Sequence, residues 1–181
     1  VCNAMETMLV HKDIAKTFLP LMEKKFLNAG VEIRGDDKTR EIIKDAKKTV
    51  ERDWSTEYND LILSIKIVNN LSEAIEHINK YGSRHTDAIV TENKKNAQIF
   101  MNLVDSASVM WNASTRFADG YRYGKGAEVG ISTAKIHSRG PVGLEGLVIY
   151  KYKLIGKGHV VKDYIGKNAG KFKHHIIKRL Y

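Results

Sequence analysis

LILSIKIVNNLSEAIEHINKYG, residues 61–82, decides the architecture. Residues 61–68 are rich in β-branched side chains and alternate from Leu63 onward, the pattern of the best strand in the chain. Directly after it, Asn70 and Glu73 have the spacing of a capping box with Asn as cap. Leu71, Ala74, Ile75 and Ile78 then line one apolar face, and Gly82 is placed as a left-handed terminator. Residues 87–91 read as another strand. Ala97, Phe100, Met101 and Val104 mark a further helix, and residues 107–111 return to a strand.

Working back toward the start, residues 8–11 close a short strand, and Ile14, Phe18, Leu21 and Met22 recur at helical spacing from near Asp13. Pro20 should kink this helix and Gly30 should end it. Residues 31–34 read as a second short strand. Ile42, Ile43, Ala46 and Val50 predict another helix after Asp36 and Asp37. The alternation of strands and helices with short connections predicts an open α/β sheet. Beyond Asn112 the texture becomes rich in glycine and turn residues, and a long structured loop in a compact α/β chain usually serves function. A final strand is expected over residues 147–154, where Val148, Tyr150, Tyr152 and Leu154 alternate with Ile149, Lys151 and Lys153.

With 181 residues, 43% hydrophobic content and a mean hydropathy of -0.35, the chain can bury one sizeable core and lacks a bilayer-spanning run. The formal net charge of +9 favours anionic partners, and much of the excess falls after Lys151. No aromatic-basic RNA-binding signature accompanies that basic end, so a docking surface or solvated tail is expected there rather than a nucleic-acid site. The cytoplasm is the expected compartment.

Cys2 is the only cysteine, which excludes an intramolecular disulfide and a cysteine-rich metal cage. It is either a small buried filler or a nucleophile. Asn3 and Ala4 beside it are small or turn-compatible, so backbone N–H groups could serve an oxyanion there. The glycines of residues 124–130 (GKGAEVG) lack dinucleotide-binding spacing and read as a loop. Neither His77 with His85 nor His174 with His175 has zinc-ligand spacing with a third ligand nearby, so no metal site is expected. His77 beside an apolar helix face is a structural candidate, whereas His85 after a glycine turn stands where functional groups are common.

Residues 68–89, VNNLSEAIEHINKYGSRHTDAI, resemble the signature of γ-glutamyl phosphate reductase, also called glutamate-5-semialdehyde dehydrogenase. VCNAMET is similar to that family's nucleophile segment, DWSTEYNDLIL to its middle, and NASTRFADG, GAEVGIST and HSRGPVGLEGL to its later part. The similarity runs to about Val161.

The resemblance implies an aldehyde-dehydrogenase-like fold with a C-terminal oligomerisation strand, and a nucleotide-binding domain that would precede Val1. Residues 1–112 would be the catalytic α/β domain, 113–161 the glycine-rich loop and oligomerisation strand, and 162–181 a basic tail. The implied chemistry is NADPH-dependent reduction of L-glutamyl 5-phosphate through a thioester on Cys2, in a homo-oligomer without membrane attachment. The resemblance further implies that Glu57 holds the nicotinamide ribose and that Ser114, Thr115 and Arg116 bind the amino-acid end of the substrate. The alternative is a non-catalytic interaction module of the same family, kept for its oligomerisation strand and basic surface.

Overall fold

The computed structural model describes residues 1–175. They fall into two compact units divided between Val148 and Ile149. In chain order the first unit contains strand β1 (Thr7–His11), helix α1 (Lys12–Asn28), β2 (Glu32–Gly35), α2 (Asp37–Ile42) and β3 (Lys47–Lys48). These are followed by β4 (Ile62–Val68), α3 (Leu71–Tyr81), β5 (Thr86–Ile89), α4 (Lys94–Leu103) and β6 (Ser108–Trp111). The hairpin strands β7 (Gly130–Ser132) and β8 (Gly140–Val142) complete the regular elements.

Four strands form a parallel sheet in the order β1–β4–β2–β3. β4 is paired along both edges, Thr7 opposite Ser64 on one side and Glu32 opposite Ile62 on the other. Leu63, Ile65 and Ile67 of this strand are buried with Val10, Leu19, Ile33 and Ile43 in the main core. A second parallel pair, β5–β6, carries a smaller core of Ile75, Phe100 and Val104 between α3 and α4. Burying a strand on both faces and both edges satisfies its backbone while removing its apolar side chains from water, which is why residues 61–68 read so clearly.

Most expected elements form within a residue or two of their expected bounds. α1 continues through Pro20, which lies within it, and ends at Ala29, with Gly30 left-handed at φ 73° just beyond. The helix expected over Ile42 to Val50 stops at Ile42. Asp36 caps it, its Oδ1 accepting from Thr39 N at 2.8 Å, and Ile43 is already extended. Ile43 and Ala46 are buried as expected, but as turn residues. The chain must swing back so that β3 can pair with Arg34 and Gly35, and that pairing overrides the helical spacing.

α3 begins as its cap predicts. Glu73 N donates to Asn70 Oδ1 at 2.9 Å, while the Glu73 carboxylate accepts from the backbone and side chain of Asn69, each at 2.8 Å. Gly82 is not a left-handed terminator, since its φ is -63°. It is there because a Cβ would stand 2.7 Å from Ile78 O. The left-handed residue is Arg84, at φ 64°.

The strand expected over residues 147–154 is absent. Leu147 closes a short 3-10 turn, Leu144–Leu147, and no ladder forms over residues 148–154. A strand needs a hydrogen-bonding neighbour, and no described segment pairs with it. Its apolar side chains are left in the open, Tyr152 at 90% and Leu154 at 93% exposure. The last six residues of the expected basic tail, 176–181, lie outside the described residues.

His77 sits on the buried face of α3 at 6% exposure, edge-on to Trp54 at 5.0 Å between ring centroids. Burial, and then the charge of Lys66, push its pKa down to about 4. A histidine held neutral in the folded state contributes full stability above its unfolded pKa and loses it as pH falls toward the folded value. Unfolding by urea should therefore show stability falling by about 3 kcal/mol between pH 6.5 and pH 4 from this group. The decline should be smaller by that amount in His77→Phe.

Candidate active site

The first residues make a four-residue turn, closed by Ala4 N donating to Val1 O at 2.9 Å, with Cys2 and Asn3 at its centre. Cys2 is exposed and its thiol is free, so the filler reading does not hold. Asn3 is buried at 7% exposure. Its Nδ2 donates to Ala118 O at 2.9 Å, its backbone carbonyl accepts from Thr115 Oγ1 at 2.6 Å, and its Oδ1 accepts from Arg116 Nη1. Ser114 caps the 3-10 turn Thr115–Phe117, its Oγ accepting from Arg116 N at 3.2 Å. The turn of Cys2 and the polar loop of Ser114, Thr115 and Arg116 are thereby brought together from opposite ends of the sheet unit. The sequence pointed only to the backbone N–H of Asn3; its buried side-chain bonds have no signal in the sequence beyond its place beside the lone cysteine.

Glu57 lies on the loop between the 3-10 turn Glu51–Ser55 and β4, with an exposed side chain. Its neighbours fix the loop. Thr56 Oγ1 donates to Arg52 O at 2.8 Å, and Tyr58 N donates to Glu6 Oε1 at 3.1 Å. Ser64 N donates to Glu6 O at 2.9 Å. Glu6, four residues from Cys2, thus joins the segment of Cys2 to the Glu57 loop. Burial raises the Glu6 pKa; the Tyr58 N–H opposes this, and the nearby Glu57 charge adds to the rise.

Behind this loop stands a polar network. Ser64 is fully buried on β4, and its Oγ lies 2.7 Å from Tyr58 Oη, which in turn donates to Asp53 Oδ1 at 3.0 Å. Asp53 also receives Arg34 Nη1 at 2.7 Å and Val50 N at 2.7 Å, and Arg34 Nε donates to Glu32 Oε1 at 2.8 Å. Burial works against the Asp53 charge, but the bonds from Val50, Arg34 and Tyr58 outweigh it and hold the carboxyl below its usual range. The Arg34 pKa is raised, by its bond to Glu32 first and to Asp53 second.

His85 precedes β5. It is buried, with Nδ1 2.7 Å from Thr86 Oγ1 and Nε2 without a partner among the described residues. No group of three or more His, Cys, Asp or Glu side chains able to hold a metal occurs among the described residues.

The parallel sheet and its covering helices form an α/β domain with the aldehyde-dehydrogenase-like fold. A solved propionaldehyde dehydrogenase from Clostridium phytofermentans shares this fold, with a TM-score of 0.53 and 17% identity over 78% of this chain and 40% of that one. The particular relationship is to γ-glutamyl phosphate reductase. The chain is homologous to the enzyme of that name from Methanosarcina mazei, 60% identical over 179 residues, which is 96% of this chain and 40% of the relative. The crystal structure of γ-glutamyl phosphate reductase from Thermotoga maritima superimposes with a TM-score of 0.86 at 53% identity, covering 88% of this chain and 39% of that one. No protein-family model matches the chain. The chain therefore spans about 40% of the length of the curated relatives it matches.

Asp53 at 3% exposure is the pivot of the network that holds the Glu57 loop. Asp53→Ala leaves the Arg34 guanidinium with Glu32 alone, strands the Val50 N–H and removes the Tyr58 hydroxyl's acceptor, and should cost about 2 kcal/mol in urea unfolding. Amide exchange over residues 50–60 should accelerate more than exchange in α4.

Proposed function

We propose that this chain carries the catalytic part of an NADPH-dependent γ-glutamyl phosphate reductase, converting L-glutamyl 5-phosphate to L-glutamate 5-semialdehyde with release of phosphate in proline biosynthesis. The observation that carries the proposal is the exposed Cys2 thiol on a turn tied through Asn3 to the loop of Ser114, Thr115 and Arg116. Homology to reductases of that name supports it.

In the first step the Cys2 thiolate attacks the acyl carbon, the bond to the phosphate oxygen breaks, and inorganic phosphate leaves with that electron pair. The product is a thioester. Phosphate is a good leaving group, so the step needs no strong general acid, and the Cys2 N–H is the oxyanion donor on this chain. A thioester lacks the resonance that protects an ester or amide. When bound, NADPH supplies the hydride that brings the thioester to the aldehyde oxidation level. Collapse of the thiohemiacetal on Cys2 then breaks the C–S bond, returns the thiolate and frees the semialdehyde.

Ser114, Thr115 and Arg116 hold the amino-acid end of the substrate. The Arg116 fork suits the α-carboxylate, since a guanidinium offers two parallel donors and only Nη1 is engaged by Asn3. Glu57 fits a ribose: its exposed carboxylate can accept from hydroxyls, on a loop whose backbone is tied to Glu6. No glycine loop links a strand to a helix as a pyrophosphate cradle among the described residues. The nucleotide's phosphates accordingly fall to the part of the relatives' length that this chain does not span.

The exposed apolar run from Val148 to Ile155 favours self-association as well. We assign the protein to a homo-oligomer in the cytoplasm with no nucleic-acid or membrane role. No helix among the described residues is long and apolar enough to cross a membrane.

In a polypeptide of the relatives' full length, Cys2→Ser should abolish NADP-linked oxidation of glutamate 5-semialdehyde in the presence of phosphate and leave NADPH binding nearly intact. Substantial turnover by the serine variant in a spectrophotometric assay refutes the nucleophile assignment. Titration calorimetry on this chain alone should detect no specific NADPH binding; a saturable micromolar isotherm would show that the chain holds a nucleotide site of its own.

A further inference from the structure

We propose that Asn3 is a positioning residue: it locks the turn bearing the Cys2 thiol to the loop of residues 114–118, so that nucleophile and substrate loop keep one fixed geometry. The inference rests on Cys2 being the nucleophile, as proposed above.

Asn3 is a polar side chain buried next to an exposed cysteine. Burying an amide without partners costs about 1–3 kcal/mol, so its contacts are obligatory. All of them go to one short segment. The side-chain amide donates to Ala118 O, the side-chain oxygen accepts from Arg116, and the backbone carbonyl accepts from Thr115 Oγ1. These partners lie 112 to 115 residues away in sequence. With Ala4 N bonded to Val1 O, Cys2 and Asn3 occupy the central positions of the same turn, and orienting Asn3 orients the Cα–Cβ bond of Cys2. The downstream anchor, Glu6 O accepting from Ser64 N, holds the same segment to β4. Between these two anchors the turn has no other described hydrogen bond to the rest of the fold.

An amide is the one group of this size that meets both demands. Aspartate would keep an acceptor for Arg116 but turn a second oxygen toward the Ala118 carbonyl, and alanine would satisfy neither. Misplacing a reacting atom by about 1 Å can cost a hundredfold in rate, so an effect of tenfold or more is expected from loosening the turn.

The test uses two reagents on this chain, whose single cysteine makes the reaction site unambiguous. p-Nitrophenyl acetate acylates a thiolate through a tetrahedral oxyanion and releases p-nitrophenolate, so its rate depends on where the thiol stands relative to its donors. Iodoacetamide alkylates by simple displacement and reports exposure and ionisation. Neither probe has an α-carboxylate, so substrate binding by Arg116 does not enter. Asn3→Ala should slow acylation by about tenfold or more while changing alkylation by less than about twofold. Asn3→Asp should fall between wild type and Asn3→Ala. The double variant Asn3→Ala/Arg116→Ala should be no slower than Asn3→Ala alone, because the two residues act through one contact.

Equal acylation rates in Asn3→Ala and wild type overturn the proposal. So does a parallel fall in both reactions, which marks a general loss of structure. If wild type itself acylates no faster than a short cysteine peptide, the nucleophile reading fails, and the inference fails with it for that separate reason.

Discussion

Burial of β4 on both faces and along both edges is the constraint from which the rest of the structure follows. The strand carries Leu63, Ile65 and Ile67 into the core, and with them Ser64, whose hydroxyl has no access to water. A buried hydroxyl must find a partner. It finds Tyr58, whose oxygen is also shared with Asp53, which takes Arg34 in turn. The one buried polar residue of this strand thereby dictates where the loop of Glu57 lies, because that loop is the stretch between Asp53 and β4.

The ends of β4 organise the remainder. Its edge pairing with β1 brings the segment of Cys2 alongside the sheet, and Glu6 makes the connection at Ser64 and Tyr58. Its far end passes directly into α3, whose His77 packs against Trp54 and whose Tyr81 hydroxyl donates to Glu51, both on the 3-10 turn ahead of Glu57. Loop, turn and helix are therefore cross-braced by side chains far apart in sequence. The third contributor, the loop of residues 114–118, has no ladder to hold it and relies on Asn3 and on its own Ser114 cap.

Strands and helices whose own side chains make the case were legible in advance. β4 shows by its alternation and α3 by its Asn70 and Glu73 cap, both local features. The short α2 was not, because Ile42, Ile43, Ala46 and Val50 suit a helix and the decision to stop was made by β3 pairing with β2. Gly82 was rightly placed at a boundary and wrongly explained, since the crowding comes from Ile78 O and not from a left-handed backbone. In the site, Cys2 stood out by being alone. Asn3, Glu6, Asp53 and Arg34 did not, for an asparagine in a turn or an acid in a loop looks the same whether it faces water or a buried partner.

The sequence by itself determined the class of architecture, the central strand and its following helix, the presence of one thiol and the likeness of its motifs to a reductase family, all carried by short-range pattern. Tertiary structure alone decided that the thiol is exposed while the residue after it is buried. It also decided that Arg116 reaches Asn3 across more than a hundred residues, and that the run after Leu147 forms no strand among the described residues. The physical reason is that burial and hydrogen-bond partnership are properties of where distant segments meet. A strand without a neighbour and an amide without an acceptor have the same sequence as their satisfied counterparts.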